Sequence, residues 1–155
     1  MYHWITIIYR KPIAALNTLW YFLETFPQER IGEMTVFCDP VHKRQLKWFR
    51  ERSAILLRYH QKKVPELNVN FIQQQEIGHF RKIVKEVLYR SDNKVVIDMT
   101  SGRKAHSALL LLMGELFSGS VDHVYYNFLH SEQFLKFPYT ALPPGLSQIV
   151  DLLEK

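Results

Sequence analysis

An α/β fold built on a Rossmann-like parallel sheet is predicted by three features of this sequence. Five short segments rich in β-branched and aromatic residues recur along the chain, stretches with helical apolar spacing separate them, and the fourth segment, at Val95–Ile97, is apolar on both faces. Strands alternating with helices imply parallel pairing through right-handed crossovers, with helices covering both faces of a sheet of at least five strands.

The elements follow in order. Strands are predicted at 5–9 "ITIIY", 34–38 "MTVFC", 67–71 "LNVNF", 94–99 "KVVIDM" and 123–128 "HVYYNF". Pro12 suits the first turn of a helix, where its missing N–H would be unpaired anyway, and Leu16, Leu19, Trp20 and Leu23 give that helix a buried face to about Phe26. A second helix, about 41–61, buries Leu46, Phe49 and Leu56. A third, about 77–90, buries Phe80, Ile83, Val84, Val87 and Leu88. The fourth, about 104–117, is apolar nearly all round, which suits packing on the sheet and against something else, with Gly114 permitting a close approach. After residue 130 the pattern changes. Pro138, Pro143, Pro144 and Gly145 mark an irregular tail, and Leu146, Ile149, Val150 and Leu153 carry the spacing of a short C-terminal helix. The organisation expected is therefore a Rossmann domain over 1–130 and a tail with a helix over 131–155, docked on the domain or leading to a partner.

With 155 residues and 47% apolar content the chain fits one domain with a substantial core. Twenty Lys and Arg against fifteen Asp and Glu give a net charge of +5, which favours anionic partners. Cys38 is the single cysteine, so an internal disulfide and a Cys-rich zinc site are excluded and a reducing compartment is expected. The opening "MYHWITIIYR" enters a strand pattern without the layout of a signal peptide, and the apolar run "ALLLLM" is far short of the roughly 20 residues that span a bilayer. A cytoplasmic location is the expectation. A start directly at a core strand also fits a soluble piece of a longer protein, a membrane-attached parent included.

In an open parallel sheet, ligands bind beyond the carboxyl ends of the strands where strand order reverses, commonly between strands one and four. The loop after strand one carries Arg10 and Lys11; the loop after strand four carries Thr100, Ser101, Gly102, Arg103 and Lys104. Thr100 and Ser101 offer hydroxyl donors, Gly102 allows a close backbone approach or a positive φ, and Arg103 and Lys104 supply charge at a helix N-terminus. A plain N-cap with a solvated first turn is the competing reading. Two cations at that end oppose the helix dipole unless an anion compensates, which favours a phosphate-bearing ligand. Asp98 is expected to orient the loop. The loop after strand one has no G-x-G-x-x-G, and "TSGRKAHS" lacks the first glycine and spacer of a P-loop, so neither nucleotide motif applies.

The series apolar strand, Asp, apolar residue, Thr, two small residues, a variable position and Lys, here "VVIDMTSGRK", resembles the motif of the CRISPR-associated Rossmann-fold (CARF) sensor domains. With "ITIIY" and "HVYYNF" in supporting positions, the resemblance covers about residues 4–129. It implies a homodimer that binds cyclic oligoadenylate across its twofold axis in type III CRISPR antiviral signalling, most often cyclic tetra-adenylate. On this chain Thr100, Ser101, Gly102, Arg103 and Lys104 become the ligand loop, with Arg10 and Lys11 as the weaker match. Ser101 stands where that family usually has glycine. Asn127, Tyr9 and Tyr125, at strand ends, are candidates for holding adenine.

Neither the Arg–His spacing of the commonest RNase effector of that family nor a PD-(D/E)-x-K nuclease motif is present, so the chain reads as a sensor alone, either natural or trimmed from a larger effector. No cofactor and no DNA partner are expected. Some CARF domains cleave their ligand without metal, by in-line attack of a ribose 2′-OH on the adjacent phosphate, which requires only positioning and charge stabilisation. Here Lys104, Arg103 and Ser101 would serve such ring cleavage, Lys104 and Ser101 being the catalytic candidates; His106 is the nearby acid–base group, or simply structural. His3, His42, His60, His79, His123 and His130 form no metal-binding spacing. A reading of another class rests on the helix over 42–63. Lys43, Arg44, Lys47, Arg50, Arg52, Arg58, Lys62 and Lys63 there face one acid, Glu51, and form an RNA or anionic surface or a solvated outer face.

Overall fold

The computed structural model describes residues 1–153. The chain runs β1 (Tyr2–Ile8), α1 (Pro12–Thr25), β2 (Ile31–Cys38), α2 (Lys43–Gln61), β3 (Leu67–Phe71), α3 (Ile77–Arg90), β4 (Lys94–Asp98), α4 (Lys104–Leu116), β5 (Val121–Leu129) and β6 (Ser147–Asp151), with single 3-10 turns at Pro40–His42, Glu132–Phe134 and Tyr139–Ala141. The sheet order is β3-β2-β1-β4-β5-β6, the first five strands parallel and β6 antiparallel to β5. Strand order reverses between β1 and β4, as the loop argument expected. The architecture is Rossmann-like.

Every residue of β1 is buried, because both faces of this central strand are covered. Trp4 and Ile8 join the core beneath α1 and α2, with Leu19, Phe22 and Phe49; Ile5 and Ile7 join the core beneath α3 and α4, with Phe80, Leu110 and Met113. Each such fully buried side chain contributes about 1.5–3 kcal/mol. His3, also buried, is accommodated by Thr35 Oγ1 at 2.8 Å and Ser91 Oγ at 3.0 Å, and burial lowers its pKa to about 4, so the ring is neutral. Cys38 is a buried thiol at the end of β2, its pKa raised to about 11, first by burial and then by Asp39.

Gly114 does permit a close approach. A Cβ there would lie 2.4 Å from Val124 Cγ2, so α4 is seated on β5 more tightly than any side chain allows. Gly114→Ala is expected to lower stability by about 1 kcal/mol net, overpacking of roughly 1–3 kcal/mol being partly offset by the better helix propensity of alanine. The urea midpoint, at unchanged slope, measures it.

The C-terminal segment differs from its prediction. Leu146, Ile149, Val150 and Leu153 do not form a helix; residues 147–151 are the edge strand β6, paired from Leu129↔Ser147 to Tyr125↔Asp151. The reason is tertiary: β5 would otherwise present an unpaired row of N–H and C=O groups, and the reversal at Gly145, with φ +81°, returns the chain alongside it. Asp151 locks the register by accepting from Val124 N–H at 3.1 Å and meeting His123 Nδ1 at 2.6 Å. The tail is thus part of the sheet rather than a separate helix, and the last two positions of the predicted 131–155 segment lie outside the described residues. No helix among the described residues is long and apolar enough to cross a membrane.

Candidate functional site

The loop between β4 and α4 is organised from below by Asp98. Register places Thr6 beside Asp98, and the Thr6 hydroxyl donates to Oδ2 at 2.8 Å while the Thr100 N–H donates to Oδ1 at 3.0 Å. Asp98 is fully buried, and burial raises its pKa to about 6 against the opposing hydrogen bonds from Thr100, Thr6 and Thr18. It orients the loop and touches no solvent. Thr100 Oγ1 accepts from the Asn127 N–H at 3.0 Å and lies 3.3 Å from Thr18 Oγ1, tying α1, β4 and β5 together. The Ser101 hydroxyl donates to the Lys11 carbonyl at 3.1 Å, which joins the two loops that the strand order brings side by side.

Two helices begin at this point. Lys11 is the N-cap residue of α1 and Arg103 that of α4; neither helix start has a side-chain cap or an acid in its first turn. The positive end of the α1 dipole opens onto the crevice that Ile13 and Ala14 help to line, an arrangement that favours an anion, whereas no residue of α4 lines it.

The crevice holds about 450 Å³ and is walled by Arg10, Lys11, Asn17, Thr100, Ser101, Gly102 and Asn127 among polar residues. Tyr9, Ile13, Ala14, Tyr126, Leu129, Phe134, Leu135 and Leu142 complete the wall, which contains no carboxylate and no histidine. Of the residues expected to bind ligand, Arg10, Lys11, Thr100, Ser101, Gly102 and Asn127 are brought together. Arg103 is not in this wall. Its guanidinium sits 4.7 Å from the Tyr9 ring centroid and donates to the Tyr9 hydroxyl, on the side that faces Asp39, Gln74 and His106. Lys104 is exposed on the first turn of α4 and lies outside the crevice.

Gly102 has a role other than the one its sequence position suggests. It has no positive φ, and a Cβ there would lie 2.6 Å from Ser107 Oγ and 2.9 Å from Ile7 Cγ2, so the close approach is first to the protein itself. Tyr125 is buried in the core, packed against Tyr21, and cannot meet an adenine; Tyr126 reaches the crevice in its place. Alternation along the strand explains the exchange, since successive side chains point to opposite faces. His106 is buried edge-on to Phe80, its pKa lowered by burial and then by Arg103, and its Nε2 has no hydrogen-bond partner among the described residues. It stands away from the crevice.

Sequence reasoning missed Asn17 and the apolar strap. Asn17 is buried on α1, where its amide donates to the Phe137 carbonyl at 3.0 Å and its carbonyl accepts from the Tyr139 N–H at 2.8 Å, so the segment after β5 is clamped across the crevice. The available signal was a carboxamide beside Leu16 on an apolar helix face. Phe134, Leu135 and Leu142 had no periodicity to betray them.

Fold and site together define a Rossmann-like α/β domain with an anion-attracting crevice at its topological switch point. No protein-family model matches the chain, and no curated protein matches it in sequence.

Proposed function

We propose that this domain is a sensor of cyclic oligoadenylate, acting as a homodimer in which each protomer holds half of a ring, cyclic tetra-adenylate in particular. The observation that carries the reading is the crevice between β1 and β4, where Arg10, Lys11 and the uncapped N-terminus of α1 meet hydroxyls and Asn127 with no carboxylate in the wall. Phosphates suit the cations and N–H groups, while Tyr9, Tyr126 and the strap residues offer apolar surface to a base. A stripe of exposed Ala105, Ala108, Leu112 and Leu116 runs down α4 from the ligand loop and supports an isologous contact beside the site. Binding is favoured over cleavage because, of the two cleavage candidates, Lys104 lies outside the crevice and the Ser101 hydroxyl is engaged with the Lys11 carbonyl.

The test is calorimetric titration with cyclic tetra-adenylate, with chromatography of the recovered ligand. One intact ring per dimer is expected. Arg10→Ala with Lys11→Ala is expected to weaken binding at least 100-fold, each charge-assisted contact contributing about 1.5–3 kcal/mol. Lys104→Ala should have the smaller effect. Recovery of linear oligoadenylate would make the protein a metal-independent ring nuclease; no binding, or a stable monomer with ligand present, would overturn the reading.

A further inference from the structure

The crevice does not end at the strap. Ile13 borders it and also two further concavities on the outer face of α1 and α2, one of about 770 Å³ and one of about 560 Å³; Leu135 connects the crevice to the first, and Trp48 and Lys136 connect the first to the second. The three form one channel leading from the switch point to Tyr59. Along its outer part stand Arg44, Arg52 and Lys136, continuing the charge of Arg10 and Lys11. No acid lines this channel; Glu24 bounds its far end, where it accepts from Trp20 Nε1 at 3.3 Å and lies 3.5 Å from His60 Nε2. Among the described residues Lys94 is the one Lys or Arg engaged in an ion pair, so these cations have no protein counter-charge.

Aromatic surface is interleaved with the charge. Arg52 lies 6.0 Å from the Trp48 ring centroid, Trp20 is half-buried alongside, and Tyr59 is 82% exposed. We propose that this channel binds a segment of single-stranded nucleic acid, its phosphates following Arg44, Arg52 and Lys136 and its bases lying against Trp48 and Tyr59. Charge complementarity selects a polyanion, and the aromatic faces select unpaired bases, since a duplex hides them. An anionic membrane fits less well. The channel is concave, and the apolar face of α2 that would insert into lipid, Leu46, Phe49, Leu56 and Leu57, is already spent in the core.

Fluorescence anisotropy with a labelled oligouridylate of about ten residues, a length within the usual site sizes of single-strand binders, tests this. Arg44→Ala, Arg52→Ala and Lys136→Ala together are expected to lower affinity at least tenfold and to reduce the salt slope by about 2, while titration with cyclic tetra-adenylate is unchanged. Tyr59→Ala, at an exposed position that does not endanger the fold, is expected to lower affinity about fivefold or more. Unchanged affinity in the triple variant overturns the proposal. So does equally tight binding of a duplex of the same length, which would mark a general polyanion surface, or binding to phosphatidylserine-containing vesicles without binding to the oligonucleotide. Arg10 and Lys11 border both the crevice and the first concavity, so the crevice reading stands or falls on the cyclic-ligand titration and this one on the variants at Arg44, Arg52, Lys136 and Tyr59, none of which lines the crevice.

Discussion

Asp98→Asn is expected to remove a pH-dependent loss of about 3 kcal/mol in the stability of the protein. The Asp98 carboxyl is fully buried with a pKa raised from 3.8 to about 6, first by desolvation, and a displacement of that size corresponds to about 3 kcal/mol. Its folded pKa is raised, so the group's favourable contribution is fully present below pH 3.8 and is lost as pH rises through 6. Urea unfolding of both proteins at several values from pH 3 to pH 7 isolates this residue, because every other titration occurs in both. The difference between native and variant should fall by about 3 kcal/mol across the window and then level. A flat difference would mean that Asp98 does not titrate there. Whatever constant offset the amide introduces at Thr6 and Thr100 leaves the slope intact.

Gly102→Val is expected to destabilise the domain by about 3 kcal/mol and to weaken cyclic-ligand binding as a consequence of loop displacement. The first added carbon already meets Ser107 Oγ at 2.6 Å and Ile7 Cγ2 at 2.9 Å, with the Met99 carbonyl at 3.5 Å. Overpacking costs roughly 1–3 kcal/mol, and the Ser107 hydroxyl, pushed from the Met99 carbonyl it reaches at 2.8 Å, forfeits about 1 kcal/mol more. Gly102→Ala should fall between. Sequence alone assigns this glycine to the ligand and expects binding to suffer without the fold; the structure assigns it to the seam between β1 and α4. A variant with native stability and lost binding would restore the first assignment.

The main elements were legible in the sequence because their signals are local. Pro12 starts α1, period-2 and period-3.6 patterns delimit strands and helices, and the buried run ending at Asp98 marks a central strand. β1 and β2 begin earlier than their β-branched runs, since His3 and Glu33 belong to strands through pairing and not through propensity. The crevice was half legible. The two loops at the β1–β4 reversal follow from topology, and topology follows from alternation of elements, so Arg10, Lys11 and the Thr100–Gly102 turn were found in advance.

Side-chain direction was not. Arg103 is turned to Tyr9, and whether a cation next to a glycine faces a crevice or a neighbouring ring depends on contacts from the loop after β1, far away in the chain. The same holds at the C-terminus, where Leu146, Ile149, Val150 and Leu153 carry helical spacing and Ile149 and Val150 nonetheless belong to β6. The sequence by itself determined that this is a Rossmann-like domain with hydroxyls and cations at its switch point, because hydrophobic period and turn chemistry act over a few residues. Only the tertiary structure decided which cations line the crevice, that Asn17 clamps a strap over it and that the tail is a strand, because those outcomes depend on partners that distant elements supply, the Tyr9 ring for Arg103 and unpaired backbone groups for Asn17 and β6.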